Sequence, residues 1–320
     1  MKVMGQKSWA KGEPLELIEL PDPAPKADEL RVRVRTIGVN PVDWKMRQQG
    51  PLRLAARFIA PPPPVVVGVD FMGTVDAVGS DVRDVAVGDR VAGGTMFSRG
   101  QRGSYADTVI VRGDQVVKVP HNVDDDVAGA TAVAGATATL SLRELGRCPK
   151  GGRVLVLGAS GGVGQLVVRL AIHMCQASVV GVCSKKNETL VRGLGCDDLI
   201  DYGAGDPLRA AKAMAPFDVV VDCAGGYSGS ACRGLLKDGG RHVMVAAEGP
   251  SALFQPLAPP WSSKLVLGMP LSKNLQPVMD AMAAGALTIP VVERLPLAEA
   301  ERAHELSKSM RMTGKIILFT

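Results

Sequence analysis

The stretch Arg153-Val154-Leu155-Val156-Leu157-Gly158-Ala159-Ser160-Gly161-Gly162-Val163-Gly164-Gln165-Leu166 decides the fold. Residues 153–157 form a short apolar run of the kind that builds a strand buried on both faces, and the glycines after it mark a tight turn. From Gln165 the chain reads as a helix. In such a strand, turn and helix the small residues let backbone N–H groups approach a pyrophosphate, and the helix N-terminus favours its charge. The pattern is A-x-G-x-x-G, beginning at Ala159. Placed inside a βαβ unit, it makes Ser160, Gly161, Gly162, Val163 and Gly164 candidate dinucleotide-binding residues.

Working outward, further apolar strands are expected at 178–182, 198–200, 218–221, 241–245 and 264–267, interleaved with Ala-rich helical stretches. Such strands belong to a parallel sheet covered on both sides, so the fold class is α/β with a doubly wound parallel sheet. After the second strand the chain reads Cys183-Ser184-Lys185-Lys186-Asn187. An NAD site would place a carboxylate there to accept the ribose 2′-hydroxyl. Ser184, Lys185 and Lys186 instead suit a 2′-phosphate, so the expected cofactor is NADPH. Two ammonium groups opening a helix also oppose its macrodipole, a conflict that an external anion would relieve. Tyr202 ends the next strand on the same edge and is a candidate to close over that phosphate, or a plain surface Tyr. Cys223, Ala224 and Gly225 follow the fourth strand, where small residues let a flat nicotinamide pass the backbone. With no His nearby in sequence, Cys223 reads as a small filler rather than a nucleophile.

The flanks have a different rhythm. Leu30-Arg31-Val32-Arg33-Val34-Arg35 alternates apolar with charged residues, the period of a half-buried strand, and similar short runs separated by Gly and Pro fill the first 120 positions. Ala60-Pro61-Pro62-Pro63-Pro64 reads as a rigid connecting loop. The basic, Gly-rich segment from Met96 to Tyr105 reads as a mobile flap at the mouth of a cleft, with Phe97 and Tyr105 either touching substrate or anchoring the loop. The tail predicts helices at 275–284 and 297–310 and a last strand at 315–319 that is free to return to the first lobe. Residues 253–261 form an irregular apolar cluster suited to a substrate wall or a dimer contact.

Composition bounds the class. Of 320 residues, 46% are hydrophobic and 22% charged, which suits a globular chain of two domains and excludes disorder and collagen. The net charge of +5 is too mild to argue for nucleic acid. The six cysteines form no Cys-x-x-Cys, so neither a disulfide scaffold nor a zinc finger is indicated. No apolar run is long enough for a signal sequence or membrane span, and the expected location is cytoplasmic with reduced thiols.

Taken together, several segments resemble the zinc-independent quinone oxidoreductase and enone reductase branch of the medium-chain dehydrogenase/reductase superfamily. They are Gly38-Val39-Asn40-Pro41-Val42-Asp43-Trp44-Lys45, Gly68-Val69-Asp70-Phe71, Gly103-Ser104-Tyr105-Ala106, the 159–164 turn and Thr313-Gly314-Lys315-Ile316-Ile317-Leu318. The resemblance implies a central Rossmann domain at 124–268 and a β-rich GroES-like catalytic domain made of 1–123 and 269–320. It also implies a homodimer, and it adds Lys315 to the cofactor-binding set.

The chain departs from the zinc alcohol dehydrogenases of that superfamily. They carry a Cys ahead of the Asp where this chain has Asn40-Pro41-Val42-Asp43, and a His-Glu pair where it has Val69-Asp70. No metal site is therefore expected. Hydride transfer without a metal needs an acceptor that is already electrophilic, such as a quinone, an enone or an enal. The candidate catalytic residues are Asn40, Asp43 and Lys45. Asn40 reads as an amide donor or nicotinamide positioner, or as a turn former before Pro41. Asp43 reads as a group that orients Lys45 or a water, or as a structural acid. Trp44 reads as an apolar wall or a core residue. No role falls to His121, His173, His242 or His304, which show no partner spacing. The expected partner is a small enone or quinone, with no nucleic acid and no stable membrane anchor. The alternatives are an enoyl-thioester reductase and a non-enzymatic NADPH-binding protein of the zeta-crystallin type.

Overall fold

Alternation along Glu29–Gly38 produces the strand on which the first lobe is built. Leu30, Val32 and Val34 turn inward and are buried, while Arg31 and Arg33 turn outward and both reach Asp76 at 2.7 Å. The computed structural model describes residues 1–10, 12–48, 51–245, 262–309 and 312–320, so the apolar cluster expected at 253–261 lies outside the described residues.

The first lobe begins with β1 (Lys2–Gln6), β2 (Glu16–Glu19), β3 (Glu29–Gly38), β4 (Val65–Val66), β5 (Asp70–Val78), β6 (Arg90–Gly94), β7 (Thr108–Arg112) and β8 (Val116–Lys118). β1 pairs with β2 and with β4, both antiparallel, in a three-stranded sheet. A helix at Pro51–Ile59, not expected from the sequence, leaves Leu54, Phe58 and Ile59 exposed.

The middle of the chain supplies β9 (Arg153–Leu157), β10 (Ser178–Cys183), β11 (Asp198–Asp201), β12 (Phe217–Asp222), β13 (Leu236–Met244) and β14 (Ser263–Leu265). They form one parallel sheet in the order β11-β10-β9-β12-β13-β14, the doubly wound order that reverses between β9 and β12. Val154, Leu155, Val156 and Leu157 are fully buried on both faces of β9, each stabilising by about 1.5–3 kcal/mol. The Ala-rich stretch at 125–145 folds as three pieces: Asp125–Gly129, Ala132–Leu140 and a wider turn at Ser141–Leu145.

The tail returns to the first lobe. After the helix Ser272–Ala283 come β15 (Val291–Pro296), the helix Ala300–Lys308 and β16 (Lys315–Phe319). β16 pairs antiparallel with β3 and parallel with β15, and so completes a seven-stranded sheet ordered β15-β16-β3-β5-β6-β8, with β7 on β3. The chain thus divides into two compact units, Met1–Val133 with Met269–Ala283 and Pro290–Thr320, and Ala134–Gly268 with Ala284–Ile289. The first unit runs past position 123 because the helix Asp125–Gly129, capped by the Asp124 carboxylate, packs on β3 and β5.

The segment 96–105 is stitched down rather than free to act as a flap. Gly103, Ser104 and Tyr105 donate backbone N–H groups to Val66, Gly68 and Val67, the Gln101 and Gln115 amides pair inside the lobe, and Arg99 reaches Asp114. Lifting the segment would break all of these hydrogen bonds together.

Candidate active site

The first unit gathers a buried polar cluster at the junction of β3, β5 and β16. Asn40 stands before a short helix, Pro41–Lys45, in which Pro41 suits the first turn and Asp43 sits three residues on. The Asp43 carboxylate reaches back, and its Oδ2 accepts the Asn40 N–H at 2.7 Å. Asn40 and Asp43 are 3% and 0% exposed. The Asn40 amide is also committed: its Oδ1 accepts from Lys315 Nζ at 2.6 Å, and its Nδ2 makes a long 3.4 Å contact to Gly38 O.

Lys315, expected at the cofactor, is 6% exposed and spends its ammonium inside this cluster. Nζ also lies 3.3 Å from Val39 O and 3.8 Å from Asp70 Oδ2. Asp70 Oδ1 accepts the Val133 N–H at 2.7 Å. Burial pushes the Asp70 carboxyl up and the Lys315 ammonium down, while each opposes the shift of the other. Burial also pushes Asp43 up to about 8, with the charge of Asp70 adding to the effect.

Tyr105, Arg47 and His304 extend the cluster, and the sequence reading gave the last two no role. Tyr105 is fully buried, its hydroxyl 3.5 Å from Asp43 Oδ2 and 2.9 Å from His304 Nε2. Gly68 makes room for it: at φ +97° it lies where an L side chain is strained, and a Cβ there would fall 2.2 Å from the Tyr105 ring. His304 Nδ1 lies 2.8 Å from the Arg47 guanidinium, which Glu301 holds at 3.0 Å. Burial and the Arg47 charge drive His304 down to about 3, so its imidazole is neutral at ordinary pH. Arg47 lines a cavity of about 570 Å³ with Gln6, Glu13, Trp44, Glu301 and Lys308.

The expected Asp43–Lys45 pairing is corrected. Lys45 is exposed and lies over the Trp44 ring at 5.5 Å, while Asp43 is buried with Asn40 and Tyr105. A five-residue helix cannot turn both side chains to one face when they are two positions apart. Trp44 is a core residue whose indole N–H donates to Ser307 Oγ at 3.1 Å.

The second unit gathers the other candidates along one edge of its sheet. Parallel pairing places the carboxyl ends of β9, β10, β11 and β12 side by side. There lie the 158–164 turn, Ser184 to Lys186, Tyr202 and Cys223 to Gly225. Gly161 precedes the helix Gly162–Cys175, and Val163 stands in its first turn. A Cβ on Gly164 would fall 2.2 Å from Gly158 O, so only glycine lets helix and strand close this tightly.

Ser160 Oγ accepts from Asn187 Nδ2 at 3.0 Å, which ties the turn to the segment after β10. The Ser184 hydroxyl is buried with no hydrogen-bond partner among the described residues. Lys185 Nζ pairs with Glu188 at 2.5 Å, so an internal carboxylate answers the macrodipole conflict that pointed to an external anion. Lys186 is exposed, Tyr202 is 52% exposed, and burial raises the Cys223 thiol. A raised thiol holds little thiolate at neutral pH, in keeping with the reading of Cys223 as a small filler.

Two protein families match parts of the chain. Residues 26–121 match the alcohol dehydrogenase GroES-like domain family, and residues 194–318 match the zinc-binding dehydrogenase family. The chain is 31% identical to the chloroplast envelope quinone oxidoreductase homolog of Arabidopsis thaliana over a 324-residue alignment, covering 95% of this chain and 93% of the relative. It belongs to the medium-chain dehydrogenase/reductase superfamily, among the quinone oxidoreductase homologues.

Members of this superfamily with solved structures share the fold over the whole length. The quinone oxidoreductase of Coxiella burnetii superposes with a TM-score of 0.86 at 26% identity, covering 100% of this chain and 99% of that one. A mycobacterial protein solved in complex with NADPH superposes with a TM-score of 0.78 at 25% identity, covering both chains entirely. The zinc in the name of the second matched family does not fit the donors found here. The cluster offers Asn40, two carboxyls and an ammonium that already supplies the positive charge, and it has neither thiolate nor imidazole facing Asn40. Among the described residues no group of three or more His, Cys, Asp or Glu is placed to hold a metal, and no helix is long and apolar enough to cross a membrane.

Proposed function

We propose that the protein is an NADPH-dependent, zinc-independent reductase that delivers hydride to quinones or to α,β-unsaturated carbonyl compounds. The observation that carries the reading is the Lys315 ammonium on Asn40 Oδ1, beside Asp70, where the zinc enzymes of the superfamily carry metal ligands. An ammonium fixed on the protein's own amide does not polarise a ketone or alcohol as a Lewis acid does, so the acceptor must be electrophilic already. The name of the Arabidopsis relative and the NADPH bound to the mycobacterial neighbour support the acceptor and the cofactor.

A reduced nicotinamide supplies the hydride when it is bound. The backbone of Ser160 to Gly164 holds the pyrophosphate on the helix N-terminus. The unsatisfied Ser184 hydroxyl and the Lys186 ammonium receive the 2′-phosphate, Lys185 shares its charge with Glu188, and Tyr202 closes the edge. Cys223, Ala224 and Gly225 present small side chains and backbone to the nicotinamide. Asn40 is the candidate that positions the nicotinamide or the acceptor, Lys315 holds its amide, and the buried Asp43 acts through the Asn40 N–H as a positioning residue. The protein works as a cytoplasmic homodimer, in keeping with six free cysteines.

The test is NADPH and NADH oxidation measured side by side with 1-octen-3-one, acrolein, 9,10-phenanthrenequinone and crotonyl-CoA. Turnover of the enones or the quinone with preference for NADPH is expected. Tight NADPH binding without turnover of any acceptor overturns the enzymatic reading, and turnover of crotonyl-CoA alone replaces it with a thioester reductase.

A further inference from the structure

We propose that Asp43 is held as a neutral carboxylic acid with its proton on Oδ1, and that Tyr105 and His304 are positioning residues that set this arrangement from the Arg47 side. The catalytic meaning of the inference rests on the proposed reductase reading; the protonation state does not.

The direction of every hydrogen bond follows from one group. A guanidinium only donates, so the 2.8 Å contact from Arg47 makes His304 Nδ1 the acceptor. The neutral ring then carries its hydrogen on Nε2, and that N–H donates to the Tyr105 oxygen at 2.9 Å. The phenol hydrogen is thereby directed away from His304, and the acceptor it meets is Asp43 Oδ2. Oδ2 already accepts the Asn40 N–H, so both donors fall on one oxygen. Oδ1 is buried without a partner among the described residues. An ionised carboxylate would leave half of its charge on that bare oxygen, which is costly in the interior.

Charge balance gives the same answer. Arg47 is paired with Glu301, and that leaves a core of two buried carboxyls, Asp43 and Asp70, and one buried ammonium, Lys315. It is neutral only when one carboxyl keeps a proton. Asp70 is the ionised member, since it faces Lys315 and accepts the Val133 N–H. The groups that face Asp43 are Asp70, Lys315, Tyr105 and Asn40, and those that face His304 are Arg47, Glu301, Lys308 and Tyr105. Burial, with Asp70 adding, keeps the Asp43 proton in place up to about pH 8.

Tyr105 donates to the oxygen that would hold charge if Asp43 ionised, so its hydroxyl favours ionisation. Removing it must raise the titration point. The guanidinium of Arg47 only donates, so the chain of hydrogen bonds has one fixed direction and works as a lock.

The experiment is infrared difference spectroscopy of the full chain titrated across neutral to alkaline pH. The wild type is compared with Asp43→Asn, Tyr105→Phe and His304→Gln, each checked for folding by thermal melting. A protonated carboxyl C=O band is expected at neutral pH in the wild type, absent from Asp43→Asn, and fading at higher pH in Tyr105→Phe than in the wild type. His304→Gln, which keeps an acceptor for Arg47 and a donor for Tyr105, is expected to titrate as the wild type does. No band that Asp43→Asn removes, or an unmoved midpoint in Tyr105→Phe, overturns the proposal. The readout needs no turnover, so loss of the reductase reading leaves the band in place, and loss of the band leaves turnover to be judged by its own assay.

Discussion

Tyr105 and His304, 199 positions apart, meet in the core of the first unit with the phenol oxygen 2.9 Å from Nε2 and the ring centroids 5.5 Å apart. The contact ties the segment before β7 to the helix before β16, and it turns the Tyr105 hydroxyl toward the carboxyl next to Asn40. Its consequences for stability and for the proposed site can be measured.

Asp43 holds its proton in the folded state up to about pH 8, while the free side chain ionises near 3.8. Its contribution to stability is full below the lower value and lost as pH rises through the upper one. Asp43→Asn, which copies the neutral acid, is expected to flatten the decline of Tm between pH 5 and pH 8. Asp43→Ala leaves the Asn40 N–H and the Tyr105 hydroxyl without their acceptor and is expected to cost about 1–3 kcal/mol at every pH. Denaturant melts at three pH values distinguish the two.

His304 has the opposite sign. Its folded value is about 3 against 6.5 for the free side chain, so its stability is present above 6.5 and lost as pH falls toward 3. His304→Gln is expected to melt close to the wild type at pH 7.5 and above it at pH 5. A wild type and variant that lose Tm in parallel on acidification would show that His304 titrates normally.

Lys315→Met strands Asp70 in the interior, and loss of one partner of a buried pair costs about 3–5 kcal/mol. The double variant Lys315→Met with Asp70→Asn is expected to recover part of that loss. Strictly additive effects in the cycle, measured by urea unfolding, would mean that the two groups do not interact.

Gly164→Ala places a Cβ against Gly158 O and must push the helix from the strand, with about 1–3 kcal/mol of destabilisation. NADPH affinity measured by titration calorimetry is expected to fall at least about tenfold, a loss of about 1.4 kcal/mol. Unchanged affinity would place the pyrophosphate elsewhere.

Lys186→Ala is expected to raise KM for NADPH several-fold and leave KM for NADH alone. Lys185→Ala is expected to do less, because its ammonium is shared with Glu188 in an exposed pair of little worth to stability. Equal effects on the two cofactors would defeat the 2′-phosphate assignment.

By itself, the sequence determined whatever depends on neighbours along the chain. The apolar run 153–157, the glycines behind it and the alternation at Leu30–Arg35 specified strand, turn and strand because burial on two faces or one leaves a different period. The same logic placed Ser184, Lys185, Lys186 and Tyr202 at strand ends. The Asn40-Pro41-x-Asp43 spacing also carries a helix-start signal, in keeping with the turn-former and structural-acid readings of these two residues, and it explains how Asp43 bonds back to Asn40.

Only the tertiary structure decided the rest. It seated Lys315 on Asn40, put Lys45 over Trp44, pinned the expected flap, and joined Arg47, His304 and Tyr105 to Asp43. The physical reason is that these groups come from β3, β5, the 96–105 segment and the returning tail, and a buried donor finds its acceptor through sheet pairing across the chain rather than through spacing within it.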